Sequence, residues 1–257
     1  MSAVNTIRAE RIKAFTVRST WWNIVLTLVL SIGLSLLICV AVVATWGDTT
    51  TEDRATVQDD ALEILLSGYF FGIVVMLVLG VMVMTSEYQN AMIRTTFVAE
   101  PRRVPMFAAK SLVVAVIAAG VAALFLAGSY VGGSLILGVR DIDVSLDVPG
   151  GARSFFGIVP FFVLAALFSL ALGAILRSTA AAITIVVLLY LVIPNLVLLI
   201  PKYGEEISAA FPFMAGVIFL DPSPSSVYGP WAGLGIFVAY VVALWGLAAY
   251  LLKRRDA

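Results

Sequence analysis

MFAAKSLVVAVIAAGVAALFLAGSYVGGSLILG, residues 106–138, carries a single charged side chain, Lys110, close to its start. A hydrocarbon core of about 30 Å takes roughly 20 apolar residues of helix, so this stretch is long enough to cross a bilayer and to project beyond it. Lipid offers no partner to backbone N–H and C=O groups, so a crossing segment of this kind must be helical. Five more runs read the same way, at 23–45, 64–85, 154–176, 179–200 and 231–252. The expected fold class is therefore an all-α membrane protein with six transmembrane helices, forming one transmembrane domain over 1–257. Pro160 and Pro194 lie inside the fourth and fifth runs, where kinks are tolerated if neighbouring helices cover the freed carbonyls.

Composition agrees. Of the 257 residues 61% are hydrophobic and 12% charged, about half the charged share of a soluble domain. The first run exceeds the 7–15-residue apolar core of a cleavable signal peptide, and Trp21 and Trp22 precede it as an interfacial pair would. It reads as a retained span. The lone cysteine, Cys39, sits in that run and excludes an intrachain disulfide.

The basic residues set the orientation. Arg8, Arg11, Lys13 and Arg18 precede the first span, Arg94, Arg102, Arg103 and Lys110 follow the second, Arg177 follows the fourth, and Lys253, Arg254 and Arg255 close the chain. The other side holds only Arg54, Arg140, Arg153 and Lys202. The positive-inside rule then places both termini in the cytoplasm, with the plasma membrane of a bacterium as the expected location.

The connections carry secondary signals. Residues 1–22 suit a cytoplasmic interfacial helix whose arc of Val4, Ile7, Ala14 and Phe15 faces lipid, although Arg11 and Arg18 share that arc. Asp60-Ala-Leu-Glu63 fits a capping box opening the second span, after an acidic, threonine-rich loop. Strict alternation in Asp141-Ile-Asp-Val-Ser-Leu-Asp-Val148 suggests a short half-buried strand. The same acids approach a calcium-loop spacing, but Leu146 stands where glycine is needed and Ala152 where the bidentate acid belongs. No metal ligand set is read here. Within 202–230, Ile207–Leu220 is apolar yet too short to span, as re-entrant or interfacial segments are.

Several chemistries are excluded or disfavoured. Without histidine there is no Ser-His dyad and no histidine-ligated zinc. Lys110-Ser111 lacks the glycines of a phosphate-binding loop. The middles of the spans carry no ionisable side chain, whereas ion-coupled carriers generally keep one there. An enzyme is not expected. Gly68/Gly72 and Ser129/Gly133, at four-residue spacing, read as helix-packing notches.

The most informative stretch is 86–110, which includes Glu87-Tyr-Gln-Asn-Ala-Met-Ile-Arg94-Thr-Thr, Pro101-Arg-Arg103 and Ala109-Lys110. A basic, partly apolar segment between two spans suits docking of a soluble partner. Together with Arg8, Glu10-x-x-Lys13 before the first span, and Phe211-Pro212-Phe-Met-Ala-Gly216 before the last, it resembles the permease subunits of type-2 ABC exporters. Ala91 departs from the glycine usual at that point.

The resemblance implies a dimer of six-span halves, the second permease being identical or related, each bound from below by an ABC ATPase. No cofactor is expected in this chain, since ATP and magnesium would sit on the ATPase. Glu87, Arg94, Pro101, Arg102, Arg103 and Lys110 would form the coupling segment 86–108, with Glu87 anchoring it through one of the arginines. Arg8, Glu10 and Lys13 would belong to the interfacial helix, and Pro212 and Gly216 to an outer re-entrant segment. The other partners implied are membrane lipid and a small amphiphilic drug, antibiotic or peptide, with no nucleic acid. A membrane immunity or sensor subunit and an ion-coupled carrier are the competing expectations.

Overall fold

The computed structural model describes residues 3–47, 50–89, 103–222 and 227–254. Six helical stretches are long and apolar enough to cross a membrane: Arg18–Thr45, Ala61–Tyr88, Arg103–Arg140, Gly151–Leu176, Thr179–Val197 and Pro230–Arg254. No strand occurs among the described residues. The fold is an all-α membrane bundle.

In chain order, α1 (Ala3–Thr16) leads into α2 (Arg18–Thr45), then α3 (Thr51–Asp59), α4 (Ala61–Leu66) and α5 (Tyr69–Gln89). After them come α6 (Arg103–Leu137), α7 (Gly151–Leu176), α8 (Thr179–Val187), α9 (Ile193–Val197), α10 (Gly204–Ala209), α11 (Pro212–Leu220) and α12 (Pro230–Arg254). The centre is α5 against α7, with α2 and α6 on one flank and α11 and α12 on the other. Close approach is bought with absent side chains. A Cβ on Gly68 would stand 1.9 Å from the Ser31 carbonyl oxygen, and one on Gly80 2.1 Å from Ser169 Oγ. Large buried rings, Phe125, Phe161, Phe162, Phe213 and Phe237 among them, fill the remaining space.

The second span is interrupted between α4 and α5, where the Gly68 N–H donates 3.0 Å to Ser35 Oγ of α2 instead of staying unpaired in the interior. The fifth span is interrupted too. Pro194 has no N–H for the Tyr190 carbonyl four residues back, and the helix widens into a π-turn over Leu188–Val192 between α8 and α9. The Tyr190 hydroxyl donates to the Phe70 carbonyl at 3.1 Å.

Two expectations need correction. Asp141–Val148 forms no strand: Ile142 and Val144 are buried while Asp141 and Asp143 are exposed, so the alternation records one-sided burial of an extended segment that has no ladder partner among the described residues. The capping box belongs elsewhere. Asp60 is the N-cap of α4 but its side chain makes no cap bond, whereas Thr50 Oγ1 accepts from the Asp53 N–H at 3.2 Å and opens α3. The acidic loop is accordingly an exposed helix. On α1, Val4 and Phe15 of the apolar arc are exposed, and the inward positions are Thr6, Glu10 and Ala14, one turn apart. Ile207–Leu220, expected as a re-entrant or interfacial segment, divides into α10 and α11, with α11 buried against α7 and α12.

Candidate functional site

Three elements converge at the end of the bundle that carries both termini. Helix α5 brings Glu87 to its last turn, α6 brings Lys110 from its second turn, and α1 lies across them with Glu10 and Lys13 on its inward face. Spacing explains α1: residues three apart on a helix are neighbours, so Glu10 and Lys13 point to one side together.

The four side chains form a closed set of opposite charges. Lys110 Nζ donates to Glu10 Oε2 at 2.5 Å and to Glu87 Oε1 at 2.8 Å. Lys13 Nζ donates to Glu10 Oε1 at 2.9 Å and to the same Glu87 oxygen at 3.3 Å. Exposure of the side chains is 3% for Glu10, 7% for Glu87 and 4% for Lys110, against 32% for Lys13. Two carboxylates and two ammonium groups cancel, which makes such burial tolerable. A lone charge there would carry several kcal/mol of uncompensated desolvation.

Burial alone would raise the Glu10 carboxyl, but the charge and hydrogen bond of Lys110, then those of Lys13, outweigh it and hold the group below its ordinary 4.5. Burial likewise works against the Lys13 ammonium, yet its bond to Glu10 and the Glu87 charge keep it above its ordinary 10.5. Glu10 and Lys13 therefore stay charged across the whole neutral range.

The surrounding contacts make the end of α5 a junction. Arg177, held at φ 55° after α7, lies over the Tyr88 ring at 5.3 Å. The Thr179 hydroxyl meets that of Thr85 at 2.7 Å. Arg103, the first residue of α6, donates from Nη1 to the Leu252 carbonyl of α12 at 2.9 Å. Trp245 donates to Ser111 Oγ at 2.8 Å and stacks on Phe107. Helices α1, α6, α7, α8 and α12 are thus tied, directly or through one neighbour, to the place where the chain leaves α5. A cavity of about 130 Å³ opens beside the charges, between α1, α2, α5 and α6.

Among the residues singled out from sequence, Glu10, Lys13, Glu87 and Lys110 come together. Arg103 is in a neighbouring contact, and Arg8 is exposed on α1. Arg94, Pro101 and Arg102 lie outside the described residues. Glu87 was expected to pair with an arginine; its partners are the two lysines. The sequence offered a signal for this pairing in the lone charges, Glu87 and Lys110, at facing ends of consecutive apolar runs. Pro212 and Gly216 belong to the other end of the bundle. Pro212 starts α11, and a Cβ on Gly216 would stand 2.4 Å from the Phe161 ring. Near α11 a larger cavity of about 350 Å³ is lined by Leu62, Leu66, Ile158 and Leu220 together with Asp60 and Glu63.

Comparison with known proteins agrees with this architecture. No curated protein matches the chain. The family described as ABC-2 family transporter protein matches residues 7–199, from within α1 to just beyond α9, well over half of the sequence. It takes in all four residues of the charge cluster, and the chain belongs to the ABC-2 family of transporter proteins.

Proposed function

We propose that this chain is the permease subunit of an ATP-driven exporter, in which the four-charge cluster fastens a cytoplasmic coupling segment to the spans. Family membership implies an ABC ATPase partner and a membrane setting. The observation that carries the reading is the cluster itself. It knots α1, α5 and α6 at the point where the 86–108 segment leaves α5. Breaking a buried ion pair by removing one member costs about 3–5 kcal/mol, so the joined helices respond to a push as one unit. Motion of an ATPase docked on the coupling segment then reaches α5 and α6 without dissipating in a loose linker.

In this reading both termini are cytoplasmic, α1 rests at the membrane surface, and α10–α11 re-enter from the outer side. Two permeases, identical or related, enclose the path. The substrate is a small amphiphilic drug, antibiotic or peptide, which suits the mixed apolar and acidic lining of the cavity beneath α11. The absence of ionisable groups from the middles of the spans supports a driving force supplied by the ATPase.

The test is co-expression and co-purification with candidate ABC ATPases from the same genome, followed by efflux of a fluorescent amphiphile from vesicles. The expected result is a stable complex whose efflux requires ATP. Efflux that persists with a hydrolysis-dead ATPase, or follows an ion gradient instead, would refute the reading.

A further inference from the structure

The cavity beside the charge cluster has two chemically different ends. Its inner wall holds Glu10, Glu87, Lys13 and Lys110, and its outer wall is the beginning of α2, with Val17, Ser19, Thr20 and Asn23. Helix α2 starts without a side-chain cap, leaving first-turn N–H groups and the positive end of the helix dipole at the opening. Thr20, only 5% exposed, lines the cavity beside Ser19. Thr27, Ser31, Thr85 and Ser111, also buried, each donate to the carbonyl four residues back. Glu87 supplies an independent observation: on the inner wall its Oε2 is buried without a partner. Orphaned buried polar groups of this kind are rare and call for an occupant.

Depth identifies where that occupant comes from. Trp21 and Trp22, directly after Thr20, are 51% and 63% exposed, and exposed tryptophans at the entry of a span mark the headgroup layer. The Trp21 indole donates to the Phe15 carbonyl at 2.9 Å and so pins α1 beside the opening.

We propose that the cavity binds the headgroup of an aminophospholipid, a primary ammonium joined to a phosphate through a short link. The ammonium donates toward the Glu87 and Glu10 carboxylates. The phosphate accepts from the Thr20 and Ser19 hydroxyls at the α2 N-terminus. A choline headgroup has no N–H to give, and an anionic headgroup without an amine leaves the Glu87 oxygen unpaired and brings an uncompensated negative charge to a cluster that is already neutral. Bound there, the lipid wedges α1 against α2 and makes the seat of the charge cluster depend on the membrane. This site needs no ATPase, so its failure would leave the coupling reading untouched.

The experiment uses the full chain, reconstituted with equal amounts of ethanolamine, choline and glycerol phospholipids of identical acyl chains, then extracted and weighed by native mass spectrometry. The expected result is retention of the ethanolamine lipid about fivefold over both others, the worth of one net hydrogen bond. Thr20→Val should abolish the preference and Thr20→Ser should keep it, while Thr27→Val, with a hydroxyl outside the cavity, should leave it unchanged. Equal retention of all three lipids would overturn the proposal, since a cavity of this size also accommodates a few waters. So would a preference surviving Thr20→Val, or retention of the glycerol lipid alone. Displacement of the ethanolamine lipid by soluble phosphoethanolamine at low concentration would overturn the membrane as the source.

Discussion

Lys110 is the residue on which most depends, because it is the buried cation between two buried carboxylates. Replacing it with methionine keeps the volume and leaves Glu10 and Glu87 with the one-third-exposed Lys13 between them. Lys110→Met should destabilise the chain by about 3–5 kcal/mol, read as a fall in the denaturation midpoint in detergent. Lys13→Met should cost no more than about 1 kcal/mol, as befits a partly solvated pair. The pH response follows from the same contacts. The Glu10 carboxyl is held below its ordinary value, so its contribution is present above pH 4.5 and is lost only as pH falls through the depressed value. The Lys13 ammonium is held above its ordinary value, so its contribution is full below pH 10.5 and is lost only as pH rises past it. Thermal stability should thus show no titration from Glu10 or Lys13 between about pH 5 and 10. A step near neutrality that disappears in Glu10→Gln would contradict the assigned partners.

At the scale of elements, packing is set by glycines that face backbone. Gly68→Ala forces a Cβ onto the Ser31 carbonyl oxygen, which cannot rotate away, while Gly80→Ala meets the Ser169 hydroxyl and, at 2.5 Å, the Ala166 carbonyl oxygen. Both should destabilise by about 1–3 kcal/mol, the usual cost of overpacking, with Gly68→Ala the worse. Gly33→Ala, with nothing within 4 Å of its Cβ, should be neutral, and thermal unfolding of the three variants orders them directly. Much of this level was legible from residue patterns. The span positions follow from apolar length, and the notches at Gly68 and Gly133 from four-residue spacing. What escaped was decided by tertiary partners. Residues 141–148 alternate because one side is covered, whatever their backbone pairing. The face of α1 that docks is the one bearing Glu10, since a matching lysine waits on α6, 100 residues away. Only Lys110 itself, a charge at the start of an apolar run, hinted at that partner.

For the whole molecule, the two ends of the bundle have different tasks. One end gathers opposite charges and ties α1, α5, α6, α8 and α12 together; the other holds the larger cavity under α11. Cys39 is the only cysteine and is buried, so a Cys39→Ser background carries single reporter cysteines cleanly. A membrane-impermeant maleimide applied to intact cells should label a cysteine at Asp147 and spare one at Arg8. The reverse pattern would invert the assigned orientation and remove the coupling segment from the cytoplasm. The most direct measurement of the central claim is the number of substrate molecules exported per ATP hydrolysed, in vesicles holding the permease with its ATPase. Glu87→Gln is predicted to keep the ATPase bound and hydrolysing while export per ATP falls about 30-fold or more, the effect of losing one member of an interlocked charge pair worth at least about 2 kcal/mol. Export per ATP equal to the wild type in Glu87→Gln and in Lys110→Met, both still folded, would contradict the account.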